Sequence, residues 1–163
     1  MRNMVFHNLR VVAVGVAVLA LAACAGEAMK GYTGPVLPAD QTALVTSGPY
    51  TDLVACDGTK VSGIGVTLLP GVHTIEMKPN NQQQNYTVLF HSTVIGSVSF
   101  TAEAGHRYVA YVSISPAPPT DEEAGSGYTW TGIIEDKTTH RKVARTDKLP
   151  LIVEPVPGSQ LMS

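Results

Sequence analysis

After residue 23 the sequence lacks any helical pattern of apolar residues. No window of 11 or more residues there places apolar side chains at the three- and four-residue intervals of an amphipathic helix. The chain also lacks an excess of positive charge, with 11 basic against 13 acidic residues. Its basic cluster, Arg141, Lys142 and Arg145, is more typical of a solvated strand or turn than of a binding patch. Nucleic acid is therefore not an expected partner, because phosphate backbones reward clustered Lys and Arg.

The first 23 residues have the three-part layout of a secretory signal peptide. Arg2 and Arg10 supply positive charge, and the following run Val11–Ala23 has no polar side chain. As a helix this run would span about 20 Å, whereas the hydrocarbon core of a bilayer is about 30 Å thick. A longer span that reaches back over residues 5–9 would bury Arg10 and two further polar residues. We therefore predict a signal peptide over residues 1–23, with a permanent transmembrane helix as the alternative that length disfavours.

Leu21-Ala22-Ala23-Cys24 closes the apolar run and resembles the lipobox of bacterial lipoproteins. The resemblance implies cleavage before Cys24 and acylation of this cysteine. Two or three long chains would hold the protein on the membrane, since a single chain binds only reversibly. The residue after the cysteine is Ala25 and not Asp, and in Gram-negative bacteria this resembles the lipoproteins that are sorted to the outer membrane. The expected location is the bacterial cell envelope, on the periplasmic face of the outer membrane. An ordinary cleaved signal with an incidental cysteine is the alternative.

Removal of residues 1–23 would leave 140 residues, enough for one domain with its own core. The removed segment contains two arginines and no acidic residue, so 9 basic and 13 acidic residues remain and the net charge is −4 with neutral histidines. Cys56 is then the sole free cysteine, and no disulfide can form within the monomer. We expect Cys56 to be a small buried residue on a strand. A reactive thiol and an intermolecular disulfide are the alternatives.

Beyond Cys24 the pattern is that of β-structure. Residues 24–40 are rich in Gly and Pro and predict a flexible tether, in which Tyr32–Pro35 could dock as an irregular edge segment. Residues 41–155 contain six to nine short strand candidates, such as Lys60–Leu69, separated by turn signals. This spacing predicts an all-β domain that forms a single antiparallel β-sandwich, with an open antiparallel β-barrel as the alternative. Residues 156–163 predict a disordered tail.

The middle of this domain has a strand, a DG turn, a strand, a PG-x-H turn and, later, an aG-x-x-Y turn. These pieces are Asp57–Lys60, Leu69–Ile75, Phe100–Gly105 and Tyr108. Their order is similar to that in PEGA-like domains and in small bacterial lipoproteins of unknown function. The resemblance implies a PEGA-like β-sandwich that serves as an envelope module and has no catalytic residues to carry over. An immunoglobulin-like sandwich is the other form of this fold that we expect.

The sequence shows no recognised arrangement of catalytic or metal-binding residues. Four histidines follow Cys24, namely His73, His91, His106 and His140. None stands at zinc-like spacing from another histidine, a cysteine or a carboxylate, although a site assembled from separate strands stays open. Glu135 and Asp136 are adjacent carboxylates that should point to opposite faces of a strand. Ser126 lacks the strand-to-helix setting of a nucleophile elbow. We predict no enzymatic activity, no cofactor and no metal.

Tyr128 and Trp130 are two residues apart and therefore share one face of a strand. They could form a platform for a sugar or peptide ligand, but burial in the core is the interpretation that we favour. The sequence as a whole predicts a lipid-anchored, non-enzymatic envelope module for protein interaction or envelope structure. Its expected partners are the membrane, through Cys24, and an envelope protein. A periplasmic module that binds a glycan or a small ligand is the alternative.

Overall fold

The computed structural model describes residues 28–80, 88–116 and 127–155 of the chain. The predicted signal peptide, Cys24 and the predicted tail over 156–163 lie outside these residues. Within the described ranges, no helix has the length and apolar character that crossing a membrane requires.

The described residues form strands in twelve segments and one short 3₁₀ turn at Ala39–Gln41. The strands are β1 Met29–Lys30, β2 Ala43–Ser47, β3 Thr51–Cys56, β4 Thr59–Lys60, β5 Gly65–Leu68, β6 Gly71–Pro79, β7 Val88–His91, β8 Gly96–Ala102, β9 Arg107–Pro116, β10 Tyr128–Asp136, β11 Arg141–Arg145 and β12 Leu149–Pro155. The first sheet has the order β1-β5-β2-β9-β10-β12-β7, and β11 also pairs with β10. The second sheet has the order β4-β3-β6-β8.

Two separate sheets enclose one apolar core, so the predicted all-β sandwich is confirmed, and the described strands do not form the alternative open barrel. Most neighbouring strands are antiparallel, as expected. Two pairs in the first sheet are parallel: β1 with β5, and β2 with β9. The parallel β2–β9 pair joins the N-terminal part of the sheet to the long β9–β10 hairpin that forms its centre.

The core follows from the alternation of side chains along each strand. In β8, buried and exposed residues alternate along the whole strand, so that Val98 and Phe100 point inward. The two sheets then interlock through residues of very different size. Trp130 of the first sheet packs against Gly96 of the second, where an added Cβ would lie only 2.6 Å from the indole ring. Trp130 is fully buried as a result, at 0% exposure.

Residues 28–40 do not form the flexible tether that the sequence predicted over 24–40. Met29 and Lys30 form β1, which pairs with β5 at the edge of the first sheet. The N–H of Gly31 continues this pairing by donating to the carbonyl of Thr67 at 2.8 Å. The segment is therefore an ordered edge of the first sheet in spite of its Gly and Pro content. Backbone hydrogen bonds hold it, and these do not depend on apolar side chains.

The predicted strand Lys60–Leu69 is also wrong as a single element. Its first residue ends β4 in the second sheet, and residues 65–68 form β5 in the first sheet. Residues 61–64 carry the chain between the sheets, with Val61 buried in the core and Ile64 45% exposed. The apolar pattern runs without a break from residue 60 to residue 69 because the segments in both sheets bury residues. Periodicity alone does not show that the chain passes from one sheet to the other.

Candidate functional site

An open cavity of about 470 Å³ lies between the N-terminal segment, residues 28–40, and the first sheet. Apolar side chains supply most of its wall, and three basic side chains lie around it. The lining residues are Ala28, Lys30, Tyr32, Val36, Leu37, Ala39, Thr42, Leu44, Thr67, Gly105, His106 and Arg107. The cavity therefore combines an apolar surface with positive charge, as a site for an anionic ligand with an apolar part would.

Contacts within the N-terminal segment hold the outer wall of this cavity. The ammonium group of Lys30 donates to the carbonyl of Gly34 and lies 5.2 Å from the centre of the Tyr32 ring. The hydroxyl of Tyr32 accepts a hydrogen bond from the N–H of Leu37 at 3.0 Å. Val36, at the tip of this segment, is 84% exposed. The segment is thus folded on itself and presents an apolar side chain to solvent.

His106, at the rim of the cavity, is paired with the buried carboxylate of Asp136. His106 Nδ1 lies 2.9 Å from Asp136 Oδ2, and the side chain of Asp136 is 4% exposed. Burial alone would raise the pKa of Asp136. Hydrogen bonds from the Thr139 hydroxyl, from His106 and from the N–H groups of Thr138 and Thr139 outweigh this effect and lower the pKa to about 2. Asp136 is therefore ionised at neutral pH and fixes the orientation of the imidazole.

An aspartate and the histidine that it orients are two of the three members of a nucleophilic triad, which also needs a hydroxyl or thiol on the other ring nitrogen. The other nitrogen of His106 lies 3.6 Å from a carboxylate oxygen of Glu103. Among the described residues, no hydroxyl or thiol is bonded to it. The ring of His106 also stacks on Tyr108, with centroids 6.2 Å apart. The pair is thus built to hold the β9–β10 end of the sheet together.

A second polar cluster lies at the end of the second sheet, where the β3–β4 hairpin meets β6. Its members are Cys56, Asp57 and His73, whose ligand-type atoms all lie within 4.8 Å of one another. Asp57 receives two hydrogen bonds from β6, one from His73 Nδ1 at 2.7 Å and one from the N–H of Thr74 at 2.8 Å. The other ring nitrogen, His73 Nε2, lies 2.8 Å from the carbonyl oxygen of Leu69.

The pKa values of the two acidic groups in this cluster move in opposite directions. Burial would raise the pKa of Asp57, but the hydrogen bonds from His73 and Thr74 lower it below its ordinary value. Burial, the charge of Asp57 and a hydrogen bond to Asp57 raise the pKa of the Cys56 thiol to about 12. Cys56 is 3% exposed, as expected for a small buried residue on a strand. On its own it is a protonated thiol and a poor nucleophile.

Tyr128 and Trp130 do not form a solvent-facing aromatic platform. Trp130 is fully buried, and its indole N–H donates to the hydroxyl of Ser92 at 3.0 Å. Tyr128 begins the same strand and is 40% exposed. The structure therefore assigns Trp130 to the core, and the ligand-platform hypothesis would have to depend on Tyr128 alone.

The other residues considered from the sequence are separated from the two clusters. Glu135 accepts from Lys137 at 2.7 Å, whereas Asp136 faces His106, so the adjacent carboxylates do serve different surroundings. Lys142 and Arg145 line a second open cleft of about 490 Å³ on the first sheet. His140 is exposed. The side chain of His91 and the whole of Ser126 lie outside the described residues.

Comparison of the chain with protein-family models, curated proteins and solved structures gives no match. The similarity to PEGA-like domains and to lipoproteins thus stays an expectation from the residues quoted for it.

Sequence reasoning missed both His–Asp pairs. Asp57 and His73 are 16 residues apart, and His106 and Asp136 are 30 apart. Residues that are so far apart in the sequence form no recognisable motif. One usable signal was the DG turn directly after Cys56, since it predicts a tight hairpin that turns the Asp57 side chain back. The pairing of that hairpin with the strand that contains His73 was not readable from the sequence.

Proposed function

We propose that this protein is a lipid-anchored, non-enzymatic module of the bacterial envelope, held on the periplasmic face of the outer membrane by acyl chains on Cys24. In this role its β-sandwich is presented to an envelope protein. The observation that carries the proposal is the lipobox-like sequence Leu21–Cys24, followed so soon by the first strand at Met29. Five residues of extended chain reach at most about 18 Å. The sandwich would thus lie close to the membrane surface.

In the described residues, the two settings that resemble part of a catalytic site both lack an activated nucleophile. The thiol of Cys56 is buried and has a pKa raised to about 12. His106 is oriented by Asp136 but has no hydroxyl or thiol on its other nitrogen within the described ranges. A hydrolytic mechanism needs an activated nucleophile next to its base.

Two apolar side chains that the domain leaves in solvent are the positions at which a protein contact can be tested. Val36, in the N-terminal segment, is 84% exposed, and Val72, on the outer face of β6, is 74% exposed. Single exposed apolar residues are ordinary on protein surfaces. They nevertheless give two defined positions at which a partner can be sought.

The anchor is tested with the variant Cys24→Ser and the control Cys56→Ala, each of which removes one cysteine. In the parent and in the control, we expect the protein in the membrane fraction, with an intact mass that shows cleavage before residue 24 and added acyl chains. The Cys24→Ser variant should lack both the cleavage and the acyl mass. An unmodified Cys24 in the membrane-extracted parent would overturn the proposal.

The partner is tested by placing a photo-crosslinking residue at Val36, at Val72 or, as a control, at the exposed Lys148. The proposal expects one envelope protein to be captured repeatedly from Val72 and Val36, and not from Lys148. Reciprocal tagging of the captured protein should recover this chain. Repeated failure to capture any protein from either valine position would count against a role in protein interaction.

A second function, binding of a small anionic ligand, is favoured by the cavity beneath the N-terminal segment. Its size of about 470 Å³ falls in the range typical of small-molecule sites. A panel of anionic glycan fragments and short-chain lipid phosphates in a thermal-shift assay tests it. A ligand of this cavity should raise the Tm of the parent and of Lys148→Ala, but not of Arg107→Ala. The absence of any shift in the parent would remove this candidate.

A further inference from the structure

Three side chains of metal-binding type converge where the β3–β4 hairpin meets β6. They are the thiol of Cys56, the carboxylate of Asp57 and the imidazole of His73, with their ligand-type atoms within 4.8 Å of one another. We propose that they form a binding site for a zinc-like divalent cation, with Cys56 Sγ, Asp57 Oδ2 and His73 Nδ1 as ligands. Thiolate sulfur, carboxylate oxygen and imidazole nitrogen are the donor types that Zn²⁺ takes in proteins.

The hairpin turn brings two consecutive residues to one point. Neighbouring side chains on a strand normally point to opposite faces. Asp57, however, has φ of 48° and Gly58 has φ of 75°, so that both lie in the left-handed region. Cys56 pairs with Thr59 across this two-residue turn. The Asp57 carboxylate therefore folds back over the end of β3, and its Oδ1 is fixed there by the N–H of Thr74 at 2.8 Å.

His73 is already held in the orientation that a metal ligand needs. Its Nε2 lies 2.8 Å from the carbonyl oxygen of Leu69, which is an acceptor only, so Nε2 carries a proton and donates it. In metal sites, a ligating histidine commonly donates its other ring N–H to a backbone carbonyl or a carboxylate. Nδ1 is thus the ring nitrogen directed at Asp57 and at the proposed cation.

A small separation of His73 and Asp57 would make room for an ion between them. His73 Nδ1 and Asp57 Oδ2 are 2.7 Å apart. Two ligands at about 2.0–2.1 Å from a tetrahedral ion lie about 3.3 Å apart, so this pair must separate by about 0.6 Å. Asp57 has a side chain that is 46% exposed, and that of His73 is 14% exposed. The ion can therefore enter from the Asp57 side, and a water molecule can complete its coordination.

The charges also balance on binding. The ion replaces two protons, the thiol proton of Cys56 and the proton that Nδ1 of His73 shares with Asp57, and both are released to solvent. One thiolate and one carboxylate then offset the two positive charges of the ion. A neutral cluster avoids most of the penalty of placing a net charge at a half-buried position. Within the described part of the chain, this is the one cluster of three such residues with atoms so close together.

Co²⁺ titration of the full chain in detergent tests the site, because a Co²⁺–thiolate bond gives an intense near-ultraviolet band that imidazole and carboxylate alone do not. A Cys24→Ser background leaves Cys56 as the sole thiol. We expect a band that saturates at one Co²⁺ per chain and is removed by Zn²⁺. It should be absent from Cys56→Ser, and the affinity should fall at least about tenfold in His73→Ala. The exposed His140 provides the control His140→Asn, which should titrate as the background does.

Zn²⁺ should also raise the Tm of the Cys24→Ser chain and of the control, since a ligand that binds only the folded state stabilises it. The shift should be lost in Asp57→Asn, which keeps an oxygen for the Thr74 N–H. This second variant tests the site even where Cys56→Ser does not fold. The proposal is overturned by a folded Cys24→Ser chain that shows no thiolate band at millimolar Co²⁺. An undiminished Co²⁺ affinity in His73→Ala would overturn it as well.

Discussion

The carboxylate of Asp136 should make a measurable and pH-dependent contribution to stability. Its Oδ2 accepts from His106 Nδ1 at 2.9 Å and from the hydroxyl of Thr139 at 2.7 Å, and its Oδ1 accepts from the N–H of Thr138 at 2.8 Å. These contacts lower its pKa from 3.8 to about 2. A shift of this size corresponds to about 2 kcal/mol of free energy of unfolding.

The direction of the pH effect follows from the sign of the shift. Because the pKa of Asp136 is lower in the folded state, the unfolded state binds its proton first as the pH falls. The contribution is therefore complete above about pH 4, near the unfolded value of 3.8, and is lost as the pH falls through about 2. The variant Asp136→Asn removes the charge and sets an amide N–H against donors. At neutral pH it should lose about 2–3 kcal/mol of stability.

Urea unfolding at several pH values measures both effects. Trp130 is the single tryptophan of the chain and is fully buried, so its fluorescence reports unfolding directly. Other carboxylates also titrate in acid, and the informative quantity is the difference between the parent and Asp136→Asn. That difference should be largest at neutral pH and should shrink by about 2 kcal/mol between pH 4 and pH 2. A difference that stays constant over this range would refute the reasoning.

Two further predictions concern the packing of Trp130. Gly96→Ala should cost about 1–3 kcal/mol, because the new Cβ would lie 2.6 Å from the indole ring, whereas the exposed Ser97→Ala should stay within about 0.5 kcal/mol in the same urea assay. An equal effect of the two substitutions would contradict the packing between the sheets. Trp130→Phe should also lose about 1–3 kcal/mol, measured by circular dichroism, because it removes buried surface and the hydrogen bond to Ser92. Tyr128→Ala should cost clearly less, and a larger loss at Tyr128 would show that the two aromatic residues have been assigned wrongly.

Local sequence patterns predicted the strand-built fold. Strand β10 runs from Tyr128 to Asp136 and includes the strand position that the spacing of Tyr128 and Trp130 predicted. In β6 the same alternation leaves Ile75 and Met77 fully buried. These successes share one cause. Alternation has a period of two in any half-buried strand, so it identifies the strand and its inner face without knowledge of its neighbours.

Amino-acid composition predicted the structure less well where backbone hydrogen bonds determine it. The Gly- and Pro-rich segment 28–40 is held by pairing of β1 with β5 and by the contact of Lys30 with Gly34, none of which depends on apolar content. The run Lys60–Leu69 was divided between two sheets, because a crossing between the layers of a sandwich preserves burial while it breaks the hydrogen-bond ladder.

By itself, the sequence determined the strand-built class of this protein, and it supports the expectation of a lipid anchor at Cys24. These properties are local, since they depend on the residue types within a few positions of one another. The tertiary structure alone decided which strands pair, and therefore which polar side chains meet. Asp57 reaches His73, and Asp136 reaches His106, because long-range strand pairing closes distances of 16 and 30 residues that leave no mark on the local pattern.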